Sequence, residues 1–247
     1  MTPSLSAAEL TGRARTHVVD VDEPRCTLHR DVVAPFLALR AAAAADGIDL
    51  QPVSSFRDFA RQAGIWNAKF RGERVLLDRA GCAMDSSCLD PAGRVDAILL
   101  WSALPGASRH HWGTDFDVID AAAVPPGYAV QLVPAEFAAD GVFARLDRWL
   151  TLNMARFGFF RPYAVDRGGV QPEPWHLSHA PVAGAALQAL TPEVLRAAIE
   201  AAAREGAAID GADVVLAQLE ALHERYVARV DAPPPATGRP AALAVDG

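Results

Sequence analysis

His110, Asp117 and His176 are the residues of this 247-residue chain whose types and spacing point most directly to chemistry. They lie in two short segments. The first runs Ser108-Arg109-His110-His111-Trp112-Gly113-Thr114-Asp115-Phe116-Asp117; the second is Glu173-Pro174-Trp175-His176. Two imidazoles and one carboxylate suit a catalytic zinc, which takes three protein ligands and leaves a fourth position for water. Gly113 lets the chain turn between His110 and the strand that carries Asp117. Glu173 lies three residues before His176. In a fully extended segment their side chains would point to opposite faces, so Pro174 and the adjacent loop are read as a bend that brings both toward the metal. A carboxylate in that place suits hydrolysis. The metal lowers the pKa of its water to around 7, and the carboxylate takes the proton and later delivers it to a leaving amine.

These segments resemble the zinc D-alanyl-D-alanine peptidases. Ser108, His110, Gly113 and Asp117 match the family's S-x-H-x-x-G-x-A-x-D signature, and Glu173, Trp175 and His176 match its E-x-W-H signature. Upstream, Ser54-Ser55-Phe56-Arg57-Asp58-Phe59-Ala60-Arg61-Gln62 looks like the S-x-x-R-[S/D]-x-x-x-Q stretch. The likeness spans about residues 30–180, with the anchors in the family's order. The family includes VanY-type carboxypeptidases, VanX-type dipeptidases and phage endolysins, and is similar in fold to the sonic hedgehog signalling domain. The resemblance implies one zinc per chain on His110, Asp117 and His176, with Glu173 as general base. It also implies that Arg57 stabilises the substrate carbonyl and the oxyanion formed from it, a role that suits a fixed guanidinium fork. Ser108, Gln62 and Trp175 are expected substrate contacts, although Ser108 could instead cap a turn and Trp175 could instead be core packing.

One position departs from the signature: Asp115 stands where the family has alanine. On a strand it points to the same face as Asp117. Three roles stay open for it: orienting a ligand histidine, anchoring a substrate ammonium, or facing solvent at the strand end. His17, His29, His179 and His223 are read as ordinary surface or core histidines, and His111 as facing away from the metal.

The elements that must position these residues follow from periodicity. A helix is expected from Asp31, which can cap it, to Gly47, then a strand over IDLQPVSSF and a helix from Asp58 to about Phe70. Residues 71–107 read as irregular, broken by Asp90-Pro91 and Pro105. Gly113 to Ile119 reads as a strand and 121–140 as a loop. A helix from Asp140 or Gly141 to about Phe157 follows, with EPWHLSH as the last strand. Thr191-Pro192-Glu193 is a capped helix start, giving helices near 192–205 and 212–230. Val215, Leu219, Leu222, Tyr226 and Val230 form an apolar stripe that something must cover. The mixture lacks regular β-α-β alternation, which favours an α+β domain with a central antiparallel sheet. The expected divisions are a loose lead-in at 1–25, the zinc peptidase domain at 26–190, a C-terminal helical extension at 191–231, and a Pro-rich disordered tail at 232–247.

Composition narrows the function classes. The net charge of −7 leaves no basic footprint for nucleic acid or anionic membrane. Lys69 is the only lysine, which together with the many alanines reads as base-composition bias. No apolar run approaches the roughly 18 residues of a membrane helix. No secretory leader is visible, so the cytoplasm is the default compartment and the periplasm applies if a leader has been removed. That setting favours free thiols at Cys82 and Cys88 over a disulfide. The expected partners are peptidoglycan-derived peptides. The leading activity is D,D-carboxypeptidase-like hydrolysis of D-Ala-containing stem peptides. The alternatives are an endolysin-like L-Ala-D-Glu endopeptidase, a cytoplasmic D-Ala-D-Ala dipeptidase, and a zinc-containing binding module without catalysis.

Overall fold

Residues 115–120 alternate acidic and apolar side chains before ending on Ile-Asp, and that alternation divides the molecule into a core side and a site side. The computed structural model describes residues 5–233. The chain begins with the one-turn helix α1 (Ala7–Leu10) and a hairpin of β1 (Val18–Val21) and β2 (Cys26–His29). Then come α2 (Val33–Ala45), β3 (Leu50–Ser54) and α3 (Phe59–Phe70). A small hairpin of β4 (Leu76–Leu77) and β5 (Ala83–Met84) leads to α4 (Pro91–Leu99). Next are β6 (Asp115–Asp120), α5 (Pro134–Phe137), α6 (Ala144–Asn153), β7 (Phe159–Phe160) and β8 (His176–His179). Four helices follow: α7 (Ala180–Ala189), α8 (Pro192–Arg204), α9 (Ala212–Ala217) and α10 (Leu219–Leu222). The last continues into a π-helical turn, His223–Ala228.

The central sheet is antiparallel, in the order β3-β6-β8-β7. This is the expected α+β architecture. Phe116, Val118 and Leu177 project from β6 and β8 into an apolar cluster with Phe36 and Leu39 of α2, Leu146 and Leu150 of α6, and Phe143 at the α6 N-cap. The alternate residues of the same strands, Asp115, Asp117, His176 and Ser178, point the other way. A second cluster joins Trp66 and Ile98 of α3 and α4 to Leu195, Ile199, Val215, Leu219, Leu222 and Tyr226 of the C-terminal helices. The apolar stripe of those helices is therefore covered within the chain, apart from half-buried Val230.

Several elements differ from expectation for identifiable reasons. Asp31 caps nothing; Val32 occupies the N-cap of α2 without a side-chain bond. The stretch 1–25 is not a loose lead-in over its described part: Ser6 and Glu9 close a capping box on α1, and β1 pairs with β2. Asp90-Pro91 does not break structure but starts α4. The Asp90 carboxylate accepts from the Gly93 N–H at 2.8 Å, and proline takes a first-turn position that needs no donor. α6 begins at Ala144, later than Asp140 or Gly141, and α7 occupies a stretch not assigned to any element. Residues 234–247, the bulk of the expected tail, lie outside the described residues. No described helix is long and apolar enough to cross a membrane.

Candidate metal centre and active-site cleft

The β6–β8 register sets Asp117 directly opposite His176. His110 arrives from a 3-10 turn, Arg109–Trp112, which closes on Gly113 at φ 65°. A side chain at Gly113 would also strike Val18 Cγ1 at 2.5 Å and the His29 backbone nitrogen at 2.6 Å, so only glycine permits this reversal. One ligand atom from each of His110, Asp117 and His176 falls within 4.8 Å of the others. His110 Nε2 is 3.5 Å from Asp117 Oδ2, and His176 Nδ1 is 3.2 Å from Asp117 Oδ1. Glu173 Oε2 sits 3.3 Å from the same His176 nitrogen. A turn closed by His176 N–H donating to Glu173 C=O (3.1 Å) makes the bend that brings the two side chains together.

The far side of each imidazole is also held. His110 Nδ1 contacts the Ser55 carbonyl at 3.0 Å, and His176 Nε2 contacts Asp115 Oδ1 at 3.0 Å. Both partners accept only, so those nitrogens carry the protons, leaving His110 Nε2 and His176 Nδ1 to bind a cation. Asp117 Oδ1 is buried and accepts no hydrogen bond of good geometry. The set therefore fits a small divalent cation: two imidazole nitrogens and one orphaned carboxylate oxygen converge, each with its orientation fixed. Burial pushes the pKa of His110 down to about 3, so this ring is neutral and ready to ligate. Burial alone would lower that of His176 too, but the carboxylates of Asp115, Asp117 and Glu173 raise it well above 6.5. A cation held at Nδ1 would displace that proton. Burial raises the pKa of Glu173 above the ordinary carboxylate value, in the direction a general base requires.

Arg57 stands beside this set on the lip of α3. Its Nη1 donates to Gln62 Oε1 (2.7 Å) and its Nη2 to Ser54 Oγ (3.0 Å). The His111 ring bridges from below: Nε2 accepts from Gly106 N–H (3.1 Å), so Nδ1–H donates to the Arg57 carbonyl (2.6 Å). Burial lowers the pKa of Arg57, while Asp117 works to raise it; a guanidinium remains charged regardless. An open cleft of about 830 Å³ spreads over Arg57, His110, Asp117, Glu173 and His176, within the roughly 300–1,000 Å³ of ligand sites. Its walls come from α3, the β4–β5 hairpin, residues 131–135 and residues 170–173.

The family model of VanY D-alanyl-D-alanine carboxypeptidases matches residues 25–182, more than half of the chain. The chain belongs to the VanY family. An uncharacterised protein of Haemophilus influenzae is 47% identical over 103 residues, covering 40% of this chain and 70% of the relative. A D-alanyl-D-alanine carboxypeptidase of Enterococcus faecalis is 26% identical over 163 residues, covering 62% of this chain and 48% of that one. Among solved structures, a zinc complex of the vancomycin-resistance D,D-pentapeptidase VanY is 24% identical, with a TM-score of 0.48 over 69% of this chain and 82% of the other. The LdcB LD-carboxypeptidase is 18% identical, with a TM-score of 0.48 over 87% and 80%.

Within this VanY-family chain, His110, Asp117, His176, Glu173 and Arg57 come together as the sequence predicts. Ser108 and Trp175 also line the cleft. Ser108 makes no side-chain cap, and Trp175 packs its other side on Phe137 at a ring separation of 5.7 Å. Two expected substrate contacts are placed elsewhere. Gln62 is fully buried, spending its oxygen on Arg57 and its amide on the Ala103 carbonyl (2.7 Å); it braces Arg57 and does not line the cleft. Asp115 is fully buried behind His176, so it neither anchors a substrate ammonium nor meets solvent. It accepts from Arg109 Nε (2.7 Å), Thr114 Oγ1 (2.5 Å) and Ser178 Oγ (3.1 Å). Burial alone would raise its pKa, yet the Arg109 charge and the bonds from His176 and Thr114 hold it well below the usual carboxylate range. Of its three open roles, orienting a ligand histidine is the one the geometry supports.

Residues beyond those predicted also build the site. Arg109 clamps Asp115 and stacks on Trp112, with its guanidinium 4.7 Å from the ring centroid. Tyr163 stands edge-on to His176 at 5.2 Å, and its carbonyl receives the Glu173 N–H at 2.9 Å. Lys69 and Ile65 form the α3 wall. Helical spacing carried a signal for these last two, since Gln62, Ile65 and Lys69 follow an i, i+3, i+7 pattern on one face. Cys82 and Cys88 are free and exposed, as expected.

Proposed function

We propose that this chain is a zinc-dependent carboxypeptidase that removes the terminal residue of peptidoglycan stem peptides ending in D-Ala-D-Ala, with one zinc per chain. One observation carries the reading: a partly buried carboxylate, Glu173, stands 3.3 Å from a candidate ligand nitrogen of the His-Asp-His set without being required as a fourth ligand. When bound on His110, Asp117 and His176, zinc supplies a Lewis acid that lowers the pKa of water to around 7. Glu173 accepts a proton from the attacking water and returns it to the leaving amine. Arg57, held by Gln62 and Ser54, presents its positive charge to the scissile carbonyl oxygen, where negative charge develops. Ser108, Tyr163 and Trp175 shape the surface against which the peptide lies.

The test is metal analysis alongside hydrolysis of a panel: D-Ala-D-Ala, a stem pentapeptide, a stem tetrapeptide and an L-Ala-D-Glu peptide. One zinc per chain, with pentapeptide cleavage lost on chelation and on Glu173→Ala while the zinc is retained, is the expected result. Cleavage of only the dipeptide or only the L-Ala-D-Glu peptide replaces this reading with a dipeptidase or an endopeptidase. A zinc-loaded protein inert to the whole panel replaces it with a binding module.

A further inference from the structure

Lys69, the single lysine in the chain, lies two turns beyond Gln62 on α3 and lines the same cleft as the metal-ligand set. Its ammonium is partly buried and donates to Ser102 Oγ at 2.6 Å. Among the described residues no carboxylate pairs with it. Burial lowers its pKa, and the acid whose charge it feels most is Glu173. An ammonium drawn out of water without a counter-charge is costly, so its position calls for an anion that arrives from outside.

The other cations of the cleft are accounted for. Arg109 is neutralised by Asp115, and Arg79 by Asp166 at 3.0 Å. Arg74 is exposed. Arg57 is braced beside the ligand set to face the scissile carbonyl. A dipositive metal would be matched by Asp117 and Glu173, which leaves Arg57 and Lys69 as partly buried cations with no ion-pair partner among the described residues. A peptide cleaved one residue from its end presents two groups to such a site: a carbonyl that becomes anionic, and a terminal carboxylate one residue further along. With Arg57 on the first, Lys69 is left for the second.

We propose that Lys69 binds the C-terminal carboxylate of the substrate and thereby restricts the site to removal of a terminal residue. This rests on the peptidase reading above. The test compares two stem pentapeptides that differ only at the end, one a free acid and one a carboxamide, on zinc-loaded wild type, Lys69→Met and Lys69→Arg. The wild type should prefer the acid by about 10- to 100-fold in kcat/KM, the worth of one charge-assisted hydrogen bond. Lys69→Met should lose that preference, chiefly through KM for the acid, with the amide unchanged and zinc content intact. Lys69→Arg should restore part of it. Equal losses on acid and amide would mean that Lys69 acts only through its bond to Ser102, and would overturn the proposal. So would a wild type that cleaves both peptides alike, a result that leaves the peptidase reading standing and decides the matter even if Lys69→Met does not fold. Cleavage of neither peptide by wild type would remove both readings.

Discussion

Replacing Asp115 with alanine should damage this protein in two separable ways. Asp115 is fully buried, and its carboxylate is the counter-charge of Arg109, whose side chain is only 3% exposed. Removing one partner of a buried ion pair leaves an uncompensated charge and costs about 3–5 kcal/mol, a large part of a typical 5–15 kcal/mol total. In a chain of this length each kcal/mol lowers the melting temperature by roughly 2–4 °C, so the loss should be roughly 6–20 °C in the presence of chelator. Separately, His176 Nε2 loses the acceptor that fixes its tautomer and ring angle, which should weaken zinc binding by about 10- to 100-fold. Thermal melts with chelator measure the first effect, and competition against a chromophoric chelator measures the second. The double variant Asp115→Ala/Arg109→Met distinguishes the causes. It removes both charges, so most of the stability should return while zinc affinity stays low. An Asp115→Ala protein with an unchanged melting temperature would refute the ion-pair reasoning, as would a double variant that loses the sum of both single effects. Unchanged zinc affinity would refute the orienting role.

Other consequences are equally open to measurement. Gly113→Ala forces a Cβ against Val18 and the His29 backbone at positive φ; urea melts should show a loss of about 2–4 kcal/mol, and an unchanged midpoint would mean that the turn relaxes freely. Gln62→Ala frees Arg57 Nη1, so kcat should fall about 10- to 100-fold with zinc content unchanged; a change in KM alone would place Gln62 in substrate binding instead. Burial works to raise the pKa of Glu9, but hydrogen bonds from Thr16 and Ser6 outweigh it and hold the carboxyl at about 2. Its folded pKa lies below the unfolded one, so its contribution is present above pH ~4.5 and is lost as pH falls toward about 2. Urea melts of Glu9→Gln should therefore show a shallower loss of stability across that window than wild type does.

Much of the site was legible because its chemistry is written in short segments. His110 and Asp117 are separated by a turn and a strand start, Glu173 and His176 by a single bend, and Asp58 caps the helix next to Arg57. Local rules of spacing, capping and turn formation reach that far. Elements failed where one local signal has two meanings. Asp-Pro at 90–91 can break a chain or start a helix, and the choice falls to Val95 and Ile98, which find Trp66 to pack against only in the folded molecule. β7 is two residues long and exists because β8 offers it a neighbour.

The sequence by itself marked out His110, Asp117 and His176 as candidate ligands, Glu173 and Arg57 as their candidate partners, and the α+β class. Each depends on residue types at fixed short spacing or on the period of apolar positions. Only the tertiary structure decided what surrounds them. It turned Asp115 away from the cleft and onto Arg109 and His176, and moved Gln62 from substrate contact to brace. It also gave His111 a place under Arg57 and left Lys69 in the cleft with no ion-pair partner among the described residues. These outcomes depend on which side chains from distant segments arrive at the same few ångströms, and on whether a charge finds its partner there. Burial and charge pairing are properties of that assembly, and no spacing within a segment records them.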